Sequence, residues 1–141
     1  MDPLLKPTLY ARADTGPVLL GGQCLCGYIF FPMQTFGCER CGKSGNDLQP
    51  KTLRARGILV TAAVVHQHAD KQRTAPFAIG TVALEAGPVV RALLSDLALA
   101  TKALRKTVAG EWVQVTLEDG TKALDLRFQS EAKDTAPQVE R

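Results

Sequence analysis

Cys24-Leu25-Cys26-Gly27, followed after ten residues by Cys38-Glu39-Arg40-Cys41-Gly42, holds every cysteine of the chain. Four thiols in two short segments, each pair followed by glycine, suit a tetrahedral metal whose ligands come from two turns. Glycine after the second thiol lets the backbone take a positive φ, so that amide N–H groups can point at the sulfurs. The second segment is a complete C-x2-C-G knuckle, and the first is one residue shorter than the usual spacing. Structural zinc on Cys24, Cys26, Cys38 and Cys41 is the leading reading. Free or partly oxidised thiols are the second reading, and iron in a rubredoxin-type site, which uses the same ligand set, is the third.

Two disulfides would require an oxidising compartment. The opening MDPLLKPTLYARADTGP carries Pro3, Pro7 and Pro17 and no apolar h-region, so it is not read as a signal peptide. No run approaches membrane-spanning length. A cytoplasmic protein with no membrane contact is therefore expected.

Outward from the cysteines, four segments are expected. Residues 1–17 form an N-terminal arm, with a helical turn at Leu9 and Tyr10 and no core of its own. Residues 18–48 form the ribbon, covered by Tyr28, Phe30 and Phe31. Residues 49–129 form a β domain, and residues 130–141, without periodicity, form a flexible tail. In the β domain, Gly57 to Val65 is a β-branched run too apolar to be exposed on both faces. Phe77 to Leu84 follows, turned by Glu85-Ala86-Gly87-Pro88 into Val89 to Leu93. Trp112 to Leu117 alternates, with Val113, Val115 and Leu117 on one face. Asp119-Gly120 suits a tight primed turn into a return strand carrying Leu124, Leu126 and Phe128.

Between Ser95 and Ala109 the period changes. Leu97, Leu104 and Val108 fit one side of a short helix, with Ser95 as N-cap and Gly110 past its end. Five strands with a helix between the third and fourth predict an OB-fold, a Greek-key barrel that also removes exposed strand edges. The fold class is thus mainly β, a zinc ribbon followed by a five-stranded OB barrel. At 141 residues and 45% hydrophobic content, one ordinary domain or a metal module plus one compact domain fits.

The ordered stretches Leu19-Leu20-Gly21-Gly22-Gln23-Cys24, Phe30-Phe31-Pro32, Cys38-Glu39-Arg40-Cys41-Gly42, Ala55-Arg56-Gly57 and Pro76-Phe77-Ala78-Ile79-Gly80 resemble a family. It comprises the acyl-CoA-associated zinc-ribbon/OB-fold proteins, catalogued as domain of unknown function thirty-five. The resemblance continues through Val82 to Gly87 and covers about residues 9–129. It implies a small accessory subunit of a larger thiolase-like enzyme, thiolase-fold aldolase or hot-dog hydratase acting on CoA thioesters. It further implies structural zinc in the ribbon and an OB-fold that docks the partner and helps hold CoA. The chain departs from the pattern in its short first knuckle and its long 94–109 connection.

A net charge of +3 with interspersed signs names no polyanionic partner. Two basic groups stand out: Lys51, Arg54 and Arg56, then Lys102, Arg105 and Lys106. Either they solvate the surface, or Arg54, Arg56, Lys102, Arg105 and Lys106 meet the phosphates of CoA at the mouth of a cleft. His66 and His68 share one side of a strand end and read as surface histidines. A site closed by four thiolates has no open position for water, so the chain alone is expected to be non-catalytic. Nucleic-acid binding is the alternative, since ribbons and OB-folds serve it. Aromatic content of 6% leaves few stacking platforms beside Phe77, Trp112 and Phe128.

Overall fold

The structure, a computed structural model, describes residues 2–66 and 76–131. His68 and most of the expected tail lie outside them. Two antiparallel sheets are present. The first is built on β2 (Gly16–Cys24), which pairs with β1 (Tyr10–Ala13) and β3 (Ile29–Phe30) along one side and with β4 (Leu48–Arg54) along the other. A Cβ at Gly22 would sit 2.5 Å from the Phe30 ring, so the missing side chain lets that ring lie against β2.

The second sheet has the order β7-β6-β5-β8-β9, with β5 (Arg56–Val65), β6 (Phe77–Leu84), β7 (Val89–Leu93), β8 (Thr107–Thr116) and β9 (Lys122–Ser130). A register shift between Leu59 and Thr61 bends β5. The sheet curls until its ends meet in parallel at Leu94 and Phe128, where the Ser95 amide donates to the Phe128 carbonyl at 2.9 Å. That is the expected five-stranded OB architecture. Leu59, Val82, Val108 and Phe128 are fully buried inside it.

The two sheets share side chains. Tyr10, Leu19 and Leu53 of the first sheet belong to the same buried cluster as the barrel interior. β4 therefore serves both ends of the molecule: Leu48 lies by the cysteines, and Leu53 by the barrel core.

Several local expectations are corrected. Residues 10–13 form a strand rather than a helical turn, and Tyr10 is buried. Phe31 packs on the barrel cluster instead of covering the ribbon. The helix between β7 and β8 is only α1 (Leu99–Lys102), with no side-chain cap from Ser95. Leu99 and Ala103 face inward, whereas Leu97 and Leu104 are exposed. Arg105 ends the segment at φ 67°, its amide donating to the Leu59 carbonyl at 2.7 Å. The helix stops because residues 107–109 are needed by the ladder with β5, which holds the barrel together. Val108 and Gly110 consequently lie in β8.

Candidate metal centre

Both cysteine pairs sit on tight turns. At the end of β2, the Cys24 amide donates to the Tyr28 carbonyl at 2.9 Å and the Gly27 amide to the Cys24 carbonyl at 2.8 Å. This is a three-residue hairpin connection, Leu25-Cys26-Gly27, with Gly27 at φ 99°. The chain uses the same bonding twice more, around Leu84 to Pro88 and Leu117 to Thr121, with Gly87 and Gly120 in the positive-φ position. The short spacing of the first pair is therefore a hairpin property and not a defective knuckle. It also replaces the two-residue turn expected at Asp119-Gly120. At the second pair the Cys38 amide donates to the Lys43 carbonyl, the Gly42 amide to the Cys38 carbonyl, and Gly42 stands at φ 83°.

The four thiol sulfurs lie within 4.8 Å of one another. Cys24 Sγ is 3.5 Å from Cys41 Sγ, and Cys26 Sγ is 3.8 Å from Cys38 Sγ. A metal bound tetrahedrally at about 2.3 Å requires sulfurs about 3.8 Å apart, whereas a disulfide requires about 2 Å. The donor set fits one four-coordinate ion and is not disulfide-bonded.

Backbone amides point at the sulfurs, as the glycine positions predicted. The Arg40 amide donates to Cys38 Sγ at 3.4 Å. For Cys26, the Tyr28 amide draws the thiol down against the effect of burial; with help from Arg40 and the neighbouring thiols it falls to about 6. For Cys24, the Cys26 amide lowers the thiol, but burial and the thiols of Cys41, Cys26 and Cys38 push it up to about 12. Arg40 also donates to the Cys26 carbonyl and lies over the Tyr28 ring, whose hydroxyl donates to Glu39 at 2.6 Å. A divalent ion held by four thiolates would carry a net negative charge, and the Arg40 guanidinium beside Cys26 would offset part of it. Arg40 lies inside the C-x2-C knuckle, the signal by which sequence alone could point to it.

The basic residues do not form one group. Arg54 and Arg56 line a shallow cleft with Gly110 and Glu131, and Lys102, Arg105 and Lys106 do not line it. Arg56 is engaged: its Nη2 and Nε meet Glu131 at 2.7 and 2.5 Å, and its Nη1 meets Glu85. These carboxylates, Glu131 foremost, hold its pKa above the ordinary arginine value. Arg54 is exposed and 3.9 Å from Glu85. Of the aromatic residues weighed for base stacking, Phe128 is fully buried, and Trp112 packs edge-on to Tyr10 with Arg12 over its ring.

Sequence reading also missed a buried polar pair. Asp125, 4% exposed, accepts a hydrogen bond from the Tyr10 hydroxyl at 2.8 Å. Burial, then this carboxylate, raises the tyrosine well above its ordinary value. The Tyr10 hydroxyl also accepts from the Lys6 amide at 3.1 Å, pinning the chain start to β9.

A four-cysteine ribbon leading into an OB barrel defines a recognisable class. Among solved structures, the chain is similar to one described as the Ltp2-ChsH2(DUF35) aldolase, with 18% identity, a TM-score of 0.58, and coverage of 78% of this chain and 84% of that one. The likeness establishes the fold, which is the fold that the sequence resemblance implied. No family model and no curated protein matches the sequence.

Proposed function

We propose that the chain is a non-catalytic accessory subunit that binds one structural zinc and supports a larger thiolase-like, aldolase or hydratase partner acting on acyl-CoA thioesters. The observation that carries this reading is the fold shared with a chain of an aldolase complex. The resemblance of residues 9–129 to the acyl-CoA-associated family points the same way. A centre closed by four thiolates stabilises a fold and has no open position at which to activate water. Unbridged thiols suit the reducing cytoplasm. Among the described residues, no helix is long and apolar enough to cross a membrane.

In this reading Arg54, on the cleft that Arg56 shapes while held by Glu131 and Glu85, and Lys102, Arg105 and Lys106, outside that cleft, meet separate phosphates of CoA. Affinity purification of the chain from its native cell, with identification of what accompanies it, tests the proposal. A stoichiometric large subunit that turns over acyl-CoA only when this chain is present is the expected result. Acyl-CoA turnover by the purified chain alone, or purification as a free nucleic-acid-bound protein, overturns it.

A further inference from the structure

The barrel is incompletely closed. β7 and β9 meet at Leu94 and Phe128, and at its other end β9 is met by residues 3–5, whose Leu5 amide donates to the Leu124 carbonyl at 2.8 Å. Between these two contacts lies a half-open cavity of about 380 Å³. We propose that this seam binds a medium-length apolar molecule with a carboxylate head. The proposal stands apart from the acyl-CoA reading, since it invokes neither the partner nor the basic residues assigned to CoA.

Size and lining define the body of the ligand. Leu9, Phe31, Ile79 and Phe128 supply apolar walls. The volume admits about a dozen water-sized groups at ~30 Å³ each, at the lower end of the range for small-molecule sites. A saturated chain of about eight carbons fits.

The head is defined by charge. Lys6 and Arg91 both line the cavity, and neither has an ion-pair partner among the described residues. Asp125 also lines it, but its two oxygens are already held, Oδ1 by the Tyr10 hydroxyl at 2.8 Å and Oδ2 by Arg127 Nε at 3.2 Å. Two residues with uncommitted cations therefore line the cavity beside one committed carboxylate. That balance selects an anion over an amine. The planar fork of Arg91 matches a carboxylate.

The test is a titration of the full zinc-loaded chain with octanoate, followed by NMR of the backbone amides. Saturable shifts at Val90, Ala92 and Leu126, with half-saturation below about 1 mM, are expected. Octylamine should bind at least tenfold more weakly. Lys6→Gln and Arg91→Gln, both at exposed positions that leave the core untouched, should each weaken octanoate about tenfold. Absence of saturation, equal binding of octylamine, or undiminished octanoate binding by the double variant each overturns the assignment.

Discussion

The two ends of the molecule are ordered by different means. At the cysteine end, the buried set is Cys24, Phe30, Cys38 and Leu48, with Tyr28 and Met33 against it. In the barrel it is a continuous apolar cluster running from Tyr10 to Phe128. Fixing a residue's backbone costs about 1–2 kcal/mol, so two apolar side chains and two thiols cannot order the loops around them. In the proposed metal-bound state the ion supplies the difference, and the barrel, with its own apolar cluster, is expected not to depend on it. β2 and β4 run through both regions, which makes the border between them testable.

The largest effect is expected from the metal. Chelation, or Cys38→Ser, should remove a contribution on the order of 10 kcal/mol from the ribbon. Hydrogen exchange should then show residues 24–48 unprotected while β5, β6, β8 and β9 stay protected. Simultaneous loss of protection in β6 and β9 would mean that the two regions fold as one unit and the contrast is wrong.

Next come two leucines on the same strand. Leu53 is 1% exposed at the barrel end of β4, and Leu48 is 2% exposed at the cysteine end. Leu53→Ala should cost about 2–5 kcal/mol in global denaturant unfolding. Leu48→Ala should register mainly as weaker zinc retention in competition with a chelator. Equal global destabilisation by both would erase the distinction between the two cores.

What could be read in advance follows the same division. The barrel strands were legible because their signals are local: β-branched runs, glycine turns and alternation from Leu124 to Phe128. The cysteine set was legible because few chemistries need four thiols in two glycine-ended turns. The chain start was not, because the burial of Tyr10 depends on Asp125, 115 residues away, and no periodicity marks such a pair. The expected helix failed for a related reason. Leu97 and Leu104 are helically spaced, but the ladder between Arg56–Ile58 and Thr107–Ala109 claims the chain before a second turn can form. The hairpin nature of the first cysteine pair is within reach of sequence, since Gly27 stands where Gly87 stands in the turn between Leu84 and Pro88.

The Tyr10–Asp125 pair gives a smaller test at the barrel end. Tyr10→Phe keeps the ring against Trp112 but leaves a buried carboxylate oxygen and the Lys6 amide without the hydroxyl. A loss of about 1–3 kcal/mol is expected, together with faster proteolysis within residues 2–8 and unchanged zinc content. An unchanged unfolding midpoint would show that the pair contributes nothing net.

The smallest effect sets one backbone geometry in two surroundings. Gly27 and Gly120 occupy the same position of the same three-residue connection, at φ 99° and 89°. Alanine in that region carries a strain of about 1–2 kcal/mol at either site. At Gly120 the loop holds no ligand, so Gly120→Ala should lower global stability by about that amount and leave zinc untouched. At Gly27 the strain falls on the turn that places Cys26 for the metal and aims the Tyr28 amide at its sulfur. Gly27→Ala should therefore weaken zinc binding roughly tenfold, because 1.4 kcal/mol is a factor of ten, with little change in barrel unfolding. Paired measurements of chelator competition and denaturant midpoint separate the two cases. If Gly27→Ala lowers the midpoint as Gly120→Ala does and leaves zinc affinity intact, the first cysteine turn is only a hairpin, and its geometry does not tune the metal.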